Sequence, residues 1–180
     1  TRAKQQQVLE VQDSPCRVLL SSTGLALRIP VTEEISITSQ PERVKSHGAV
    51  QSEVHTTTRS EVGAVLTDGS VLKFTPVDLP DVPENSISFE AGVDITRYIG
   101  SELIGNRKVI GFVTFDSEEP LGIFTRDGVV KRTVLSTPPN KDEFEIISLK
   151  DADQVVSVGP APDSTEFVAI TSDAQLLRFN

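Results

Sequence analysis

Four times along the chain one short phrase returns: a turn ending in Gly or Ala, then a basic residue four positions later among apolar neighbours. It reads STGLALRI at Ser22 to Ile29, TDGSVLKF at Thr67 to Phe74, RDGVVKRT at Arg126 to Thr133 and SDAQLLRF at Ser172 to Phe179. The turns, near 24, 69, 128 and 174, lie roughly 45 to 60 residues apart, a spacing in the range of propeller blades. Three strand-like runs can be read in each unit: VLEVQ, RVLLSS and LALRI; AVQSEVHTT, EVGAVLT and SVLKF; VIGFVTF, LGIFT and VVKRTVL; QVVSVG, EFVAIT and QLLRF. Each is short and rich in β-branched and large apolar residues, and turn chemistry such as TDG, DSEEP and PAPDS separates them. The Asp-Gly pairs at 68–69 and 127–128 suit tight hairpins, because Gly accepts the positive φ such turns need.

These runs predict an all-β chain of repeated antiparallel blades, about four of them, in a propeller-like partial ring within one domain spanning 1–180. A sandwich or barrel is the competing architecture, but neither needs the same strand–turn–strand phrase four times. Helical signal is thin: NKDEFEIISLKDADQ could hold a turn or two, against its β-branched content and the preceding Pro138 and Pro139. Residues 31–48 and 76–108 collect many of the Pro, Gly and charged residues and are expected to run over the surface between blades.

Strand side chains alternate faces. Leu27 and Ile29, Leu72 and Phe74, and Leu177 and Phe179 are therefore expected in the core, with Arg28, Lys73 and Arg178 pointing outward. In VVKRT the pattern slips: either Arg132 keeps the outward position and Lys131 faces in, or a bulge turns both out. Charged residues on solvent-facing strand positions are common and discourage aggregation. Repeated blades would, however, also set such cations at regular intervals around a perimeter, where each phosphate neutralised releases counterions. The net charge of −9, from 17 Lys and Arg against 26 Asp and Glu, argues against a protein coated in positive charge without excluding a basic edge.

No apolar run approaches the roughly 20 residues of a membrane span. The single Cys16 excludes an internal disulfide framework and fits a reducing compartment, with the cytoplasm as the expected location. Without an initiator Met the chain is expected to be a piece of a longer protein. His47 and His55 lack metal-ligand spacing, and no phosphate loop, nucleophile elbow or carboxylate pair can be read, so no catalysis, metal or cofactor is expected in this segment. Tyr98 and Cys16 read as packing residues.

VLLSSTGLALRIP, EVGAVLTDGSVLKFTPVDLP, LGIFTRDGVVKRTVLSTPPN and ISLKDADQVVSVGPAPDSTEFVAITSDAQLLRFN resemble successive repeats of the C-terminal domain that ends the larger, DNA-cleaving polypeptide of type IIA DNA topoisomerases, the family of DNA gyrase A and its topoisomerase IV counterpart. The resemblance runs from about Val8 to Asn180. It implies a β-pinwheel, usually of six blades, whose basic rim binds and bends double-stranded DNA for the catalytic core. The parent enzyme would use ATP and Mg on other domains or polypeptides. Its partners would be the remainder of the DNA-cleaving polypeptide together with the ATPase polypeptide, at a nucleoid-associated location. Carried over by position, Arg28, Lys73, Lys131, Arg132 and Arg178 would be rim contacts, with Arg107 and Lys108 as weaker candidates. Arg43 and Lys45 fall where gyrase carries its basic double-glycine heptad. Here SQPERVKSHGAV has no Gly-Gly, which points to a relaxing or decatenating enzyme over a strongly supercoiling one. About four repeats instead of six implies a truncated or open pinwheel. The rival expectation is a propeller-type protein-interaction module with acidic faces. Charge layout separates the two: a continuous basic rim speaks for DNA, and cations interrupted by Asp and Glu speak for a protein partner.

Overall fold

A computed structural model of the chain describes residues 12–31, 49–84, 87–135, 140–150 and 152–179. Arg43, Lys45, His47 and the VLE of VLEVQ lie outside the described residues. The strands are β1 (Pro15–Ser21), β2 (Leu25–Pro30), β3 (Val50–Thr57), β4 (Val62–Leu66), β5 (Ser70–Phe74), β6 (Val93–Asp94), β7 (Val109–Thr114), β8 (Leu121–Thr125), β9 (Val130–Thr133), β10 (Glu143–Glu145), β11 (Val155–Pro160), β12 (Phe167–Ile170) and β13 (Leu176–Phe179). Two short helices, α1 (Ile95–Ile99) and α2 (Ser101–Ile104), follow β6. Among the described residues no helix is long and apolar enough to cross a membrane.

The expected hairpins are all present, and all four turns close alike. The N–H of Gly24, Gly69, Gly128 and Ala174 donates to the carbonyl three residues back at 3.0, 3.0, 3.1 and 3.0 Å. Their φ angles are +83°, +85°, +86° and +63°, the left-handed region that favours Gly.

The grouping of strands into sheets differs from their order along the chain. Each of the first three hairpins pairs with the strand that follows it, and the first two also take a short strand from further along. The sheets run β3-β1-β2-β6, β10-β5-β4-β7, β11-β8-β9 and β12-β13. The borrowed strands β6 and β10 escape a reading for strands because Val-Asp and Glu-Phe-Glu are too short to show a period. The helical turn allowed in NKDEFEIISLKDADQ is β10 instead.

The sheets stack face to face, which buries both faces of the early hairpins. Cys16, Val18, Leu20 and Ala26 of the first sheet pack on Val62, Ala64, Phe74 and Phe112 of the second. Val65, Val71, Val113 and Phe115 on the opposite face of the second sheet pack on Ile123 and Val155 of the third. The free face of the first sheet, Leu19, Leu27 and Ile29, is covered by Val82 and Phe89. The connection 76–108 is therefore a cover and not a surface excursion: Leu79, Val82, Phe89, Ile95 and Ile104 are all buried. Burying such side chains contributes about 1.5–3 kcal/mol each, which holds a segment with little regular structure in place. Tyr98 packs edge-on against Phe74 at 6.0 Å, and its hydroxyl donates to the Thr75 carbonyl at 2.7 Å. Cys16 is buried, as expected.

Candidate nucleic-acid interface

The register shows that the repeated cation is one structural position. Arg28 faces Val18, Lys73 faces Gly63, Arg132 faces Gly122 and Arg178 faces Val168 across their hairpins. The β8–β9 pairing has no bulge, so Arg132 holds the repeat position. Lys131, opposite Ile123, turns to the other face.

That position does not point to solvent in the early blades, contrary to the expected outward Arg28 and Lys73. The face opposite Leu27 and Leu72 is the seam with the next sheet. The Arg28 side chain is 7% exposed, Lys73 10%, Arg132 39% and Arg178 65%. Exposure rises along the chain because among the described residues no further sheet stacks on β12-β13.

Each of the four meets a carboxylate. Arg28 Nε donates to Asp81 Oδ1 at 2.6 Å, and its Nη1 reaches the Pro76 and Val77 carbonyls, each at 3.2 Å. The hydrogen bond to Asp81 holds the guanidinium more firmly protonated than usual. Lys73 Nζ lies 3.2 Å from Glu61 and 5.8 Å from the centre of the Phe115 ring. Arg132 pairs with Asp163 at 2.5 Å, and Arg178 pairs with Glu166. Arg28 is thus a strut pinning the 76–81 segment, and Lys73 fills the seam with the third sheet.

Arg107 is a second strut. Its Nη1 contacts Asp68, Ser70 and Glu143, and its Nε donates to the Ile104 carbonyl at 3.0 Å, tying the Gly69 turn to the borrowed strand β10. Burial pushes the Asp68 carboxyl up, but hydrogen bonds from the Ser70 hydroxyl and N–H, with Arg107 beside it, hold it below the usual carboxylate range. A depressed folded pKa stabilises the fold above the unfolded value of about 3.9, and that contribution is lost as pH falls through the folded value. The stability deficit of Asp68→Asn should therefore shrink from neutral pH toward pH 3 in urea unfolding. A deficit that stays constant over that range would contradict this linkage.

The exposed cations with no carboxylate partner among the described residues lie elsewhere. Lys108 flanks the Gly69 turn on one side, its carbonyl accepting from Thr67 N–H at 3.0 Å. Lys131 flanks it on the other: its Nζ donates to the Ile146 carbonyl at 2.6 Å, and Ile146 N–H donates to Gly69 O at 2.9 Å. Both residues are exposed. Arg59, Arg97, Lys141 and Lys150 are also exposed and have no ion pair among the described residues. Sequence periodicity could not single these out, since loop cations have no period and their freedom depends on which carboxylates the fold brings near.

No protein-family model matches the chain, and no curated protein matches it in sequence. Among solved structures it is similar to the C-terminal domain of DNA topoisomerase IV, with 20% identity and a TM-score of 0.65 over 95% of this chain and 53% of that one. It is similar to the E. coli ParC C-terminal domain with 14% identity and a TM-score of 0.58, over 92% of this chain and 64% of that one. For the DNA gyrase A C-terminal domain the values are 13% and 0.50, over 93% and 55%. The fold is the β-pinwheel of these C-terminal domains. The chain spans between about half and two thirds of their length.

Proposed function

We propose that the chain is a non-catalytic, duplex-DNA-binding and DNA-bending pinwheel domain from the DNA-cleaving polypeptide of a type IIA topoisomerase. The carrying observation is the shared pinwheel fold, whose solved representatives are named as topoisomerase and gyrase C-terminal domains. Exposed Lys108 and Lys131 on either side of the Gly69 turn supply phosphate contacts, supported by Arg59, Arg97, Lys141 and Lys150. Such contacts position a duplex without reading bases, leaving any sequence preference to DNA deformability. Arg132 and Arg178 join only by exchanging a carboxylate for a phosphate, and buried Arg28 does not reach DNA. In the parent enzyme the domain presents duplex for ATP-dependent strand passage, with relaxation or decatenation favoured over strong supercoiling. Its partners are the remainder of the DNA-cleaving polypeptide together with the ATPase polypeptide, in the cytoplasm at the nucleoid.

A second reading has its own observation. The cations of the repeat position are each matched by Asp or Glu, the interrupted layout that suits a protein partner. Titrating salt against binding to a duplex of about 40 base pairs separates the two, because log K falls with log salt by about 0.9 per phosphate neutralised. A slope of about −2 to −4 is expected, with each of Lys108→Glu and Lys131→Glu removing about 0.9 of it. Absence of salt-dependent binding, or a slope that neither substitution moves, rejects the DNA reading in favour of the protein-interaction module.

A further inference from the structure

The first two blades obey a rule that the third leaves incomplete. In each, the second hairpin strand receives a backbone partner on its outer edge at the repeat position. Arg28 N–H donates to the Pro80 carbonyl at 2.9 Å, and its carbonyl accepts from Val82 N–H at 2.8 Å. Lys73 N–H donates to the Asp142 carbonyl at 2.9 Å. The borrowed strands then continue along that edge, with Val93 opposite Ala26 and Asp94 opposite Leu25. In the second blade Glu143, Phe144 and Glu145 stand opposite Leu72, Val71 and Ser70. Shared register makes Asp94 equivalent to Glu145, and Val93 equivalent to Phe144. An apolar residue followed by a carboxylate is the recurring occupant.

On β9 the equivalent residue is Arg132. Among the described residues β9 has β8 as its only neighbour, so its outer edge carries unpaired backbone groups, a template for another strand. The side chains on that edge differ from the earlier blades in one respect. Where the second blade has Leu72, the third has Lys131, so an acidic residue in the place of Glu143 would stand directly opposite a lysine. Opposite charges at directly facing positions favour pairing, and like charges disfavour it. Val129, Val130 and Val134, all exposed, offer apolar contact to the central residue.

We infer that the outer edge of β9 is a docking edge for an extended segment of a separate protein chain with the pattern acidic–apolar–acidic, added antiparallel as a further strand of the third sheet. Affinity comes from main-chain hydrogen bonds, and selectivity from Lys131 and the valines, the division of labour of strand addition. The inference stands on the sheet register and is independent of DNA binding.

The test uses the whole chain and a labelled peptide with the sequence of residues 142–149, DEFEIISL. Saturable binding is expected, together with slowed exchange of the Arg132 amide. Arg132→Pro removes the outward N–H, which an edge strand tolerates, and should weaken binding at least about tenfold. Arg132→Ala keeps the N–H and should bind within about threefold of wild type. Lys131→Glu, which keeps the backbone intact should the proline variant not fold, is expected to weaken binding about tenfold as well. Absence of binding, binding unaffected by Arg132→Pro or Lys131→Glu, or equal binding of the reversed-charge peptide DKFKIISL would overturn the proposal. So would a wild-type dimer in sedimentation that Arg132→Pro dissolves, since the occupant would then be a second copy.

Discussion

Alanine at position 69 is expected to cost the fold roughly 3 kcal/mol, against about 1 kcal/mol for the same change at Gly24 or Gly128. All three glycines have nearly the same positive φ, so the backbone term is common to them. Surroundings differ. A Cβ at Gly24 or Gly128 would meet nothing within 4 Å, whereas at Gly69 it would lie 2.5 Å from the Ile147 carbonyl oxygen and 2.7 Å from its Cγ2. The turn cannot retreat, because Gly69 O accepts from Ile146 N–H and Thr67 O accepts from Val155 N–H, each at 2.9 Å. Ala174, with φ +63°, shows that an open turn of this type accommodates alanine. Equilibrium unfolding of the three variants in urea measures the difference. Equal costs would mean that the Ile147 contact yields freely. Because Lys108 and Lys131 are held through this turn, the same variant should also disturb the proposed phosphate contacts.

Reversal of charge at Lys73 should cost about 3–5 kcal/mol, far more than a surface lysine. The side chain is 10% exposed and lies between Glu61 and the Phe115 ring, in the seam between the second and third sheets. A glutamate there would face Glu61 across the seam in place of an attraction, with its own charge largely withdrawn from water. Lys108→Glu, on the exposed rim, should stay within about 0.5 kcal/mol. Adding Glu61→Lys to Lys73→Glu should recover at least about 1 kcal/mol by restoring an opposite pair. If Lys73→Glu alone proves as mild as Lys108→Glu, the seam is wetter than the structure describes. This comparison also guards the DNA experiment: lost binding in a Lys73 variant would report a loosened seam, whereas loss in Lys108 and Lys131 variants would report the rim.

How much of the fold and the rim is legible in the sequence follows from which interactions are local. The four hairpins and their positive-φ turns depend on neighbours within about eight residues, and the Gly-closed turns and short apolar runs carry that information directly. So does the equivalence of Arg28, Lys73, Arg132 and Arg178, because hairpin register follows from the turn. The direction in which those cations point does not. Alternation says that Arg28 lies opposite Leu27 and Ile29, but a second sheet stacked on its face turns a surface position into a seam, and stacking is a contact between residues far apart in sequence. Asp81, Glu61, Asp163 and Glu166 became partners by the same long-range packing, as did the borrowed strands β6 and β10, each held by a few ladder hydrogen bonds too short to leave a period. The sequence by itself determined the repeated hairpin and the place of its cation. Only the tertiary structure, by laying one sheet against the next, decided which cations became struts in the interior and which remained on the rim.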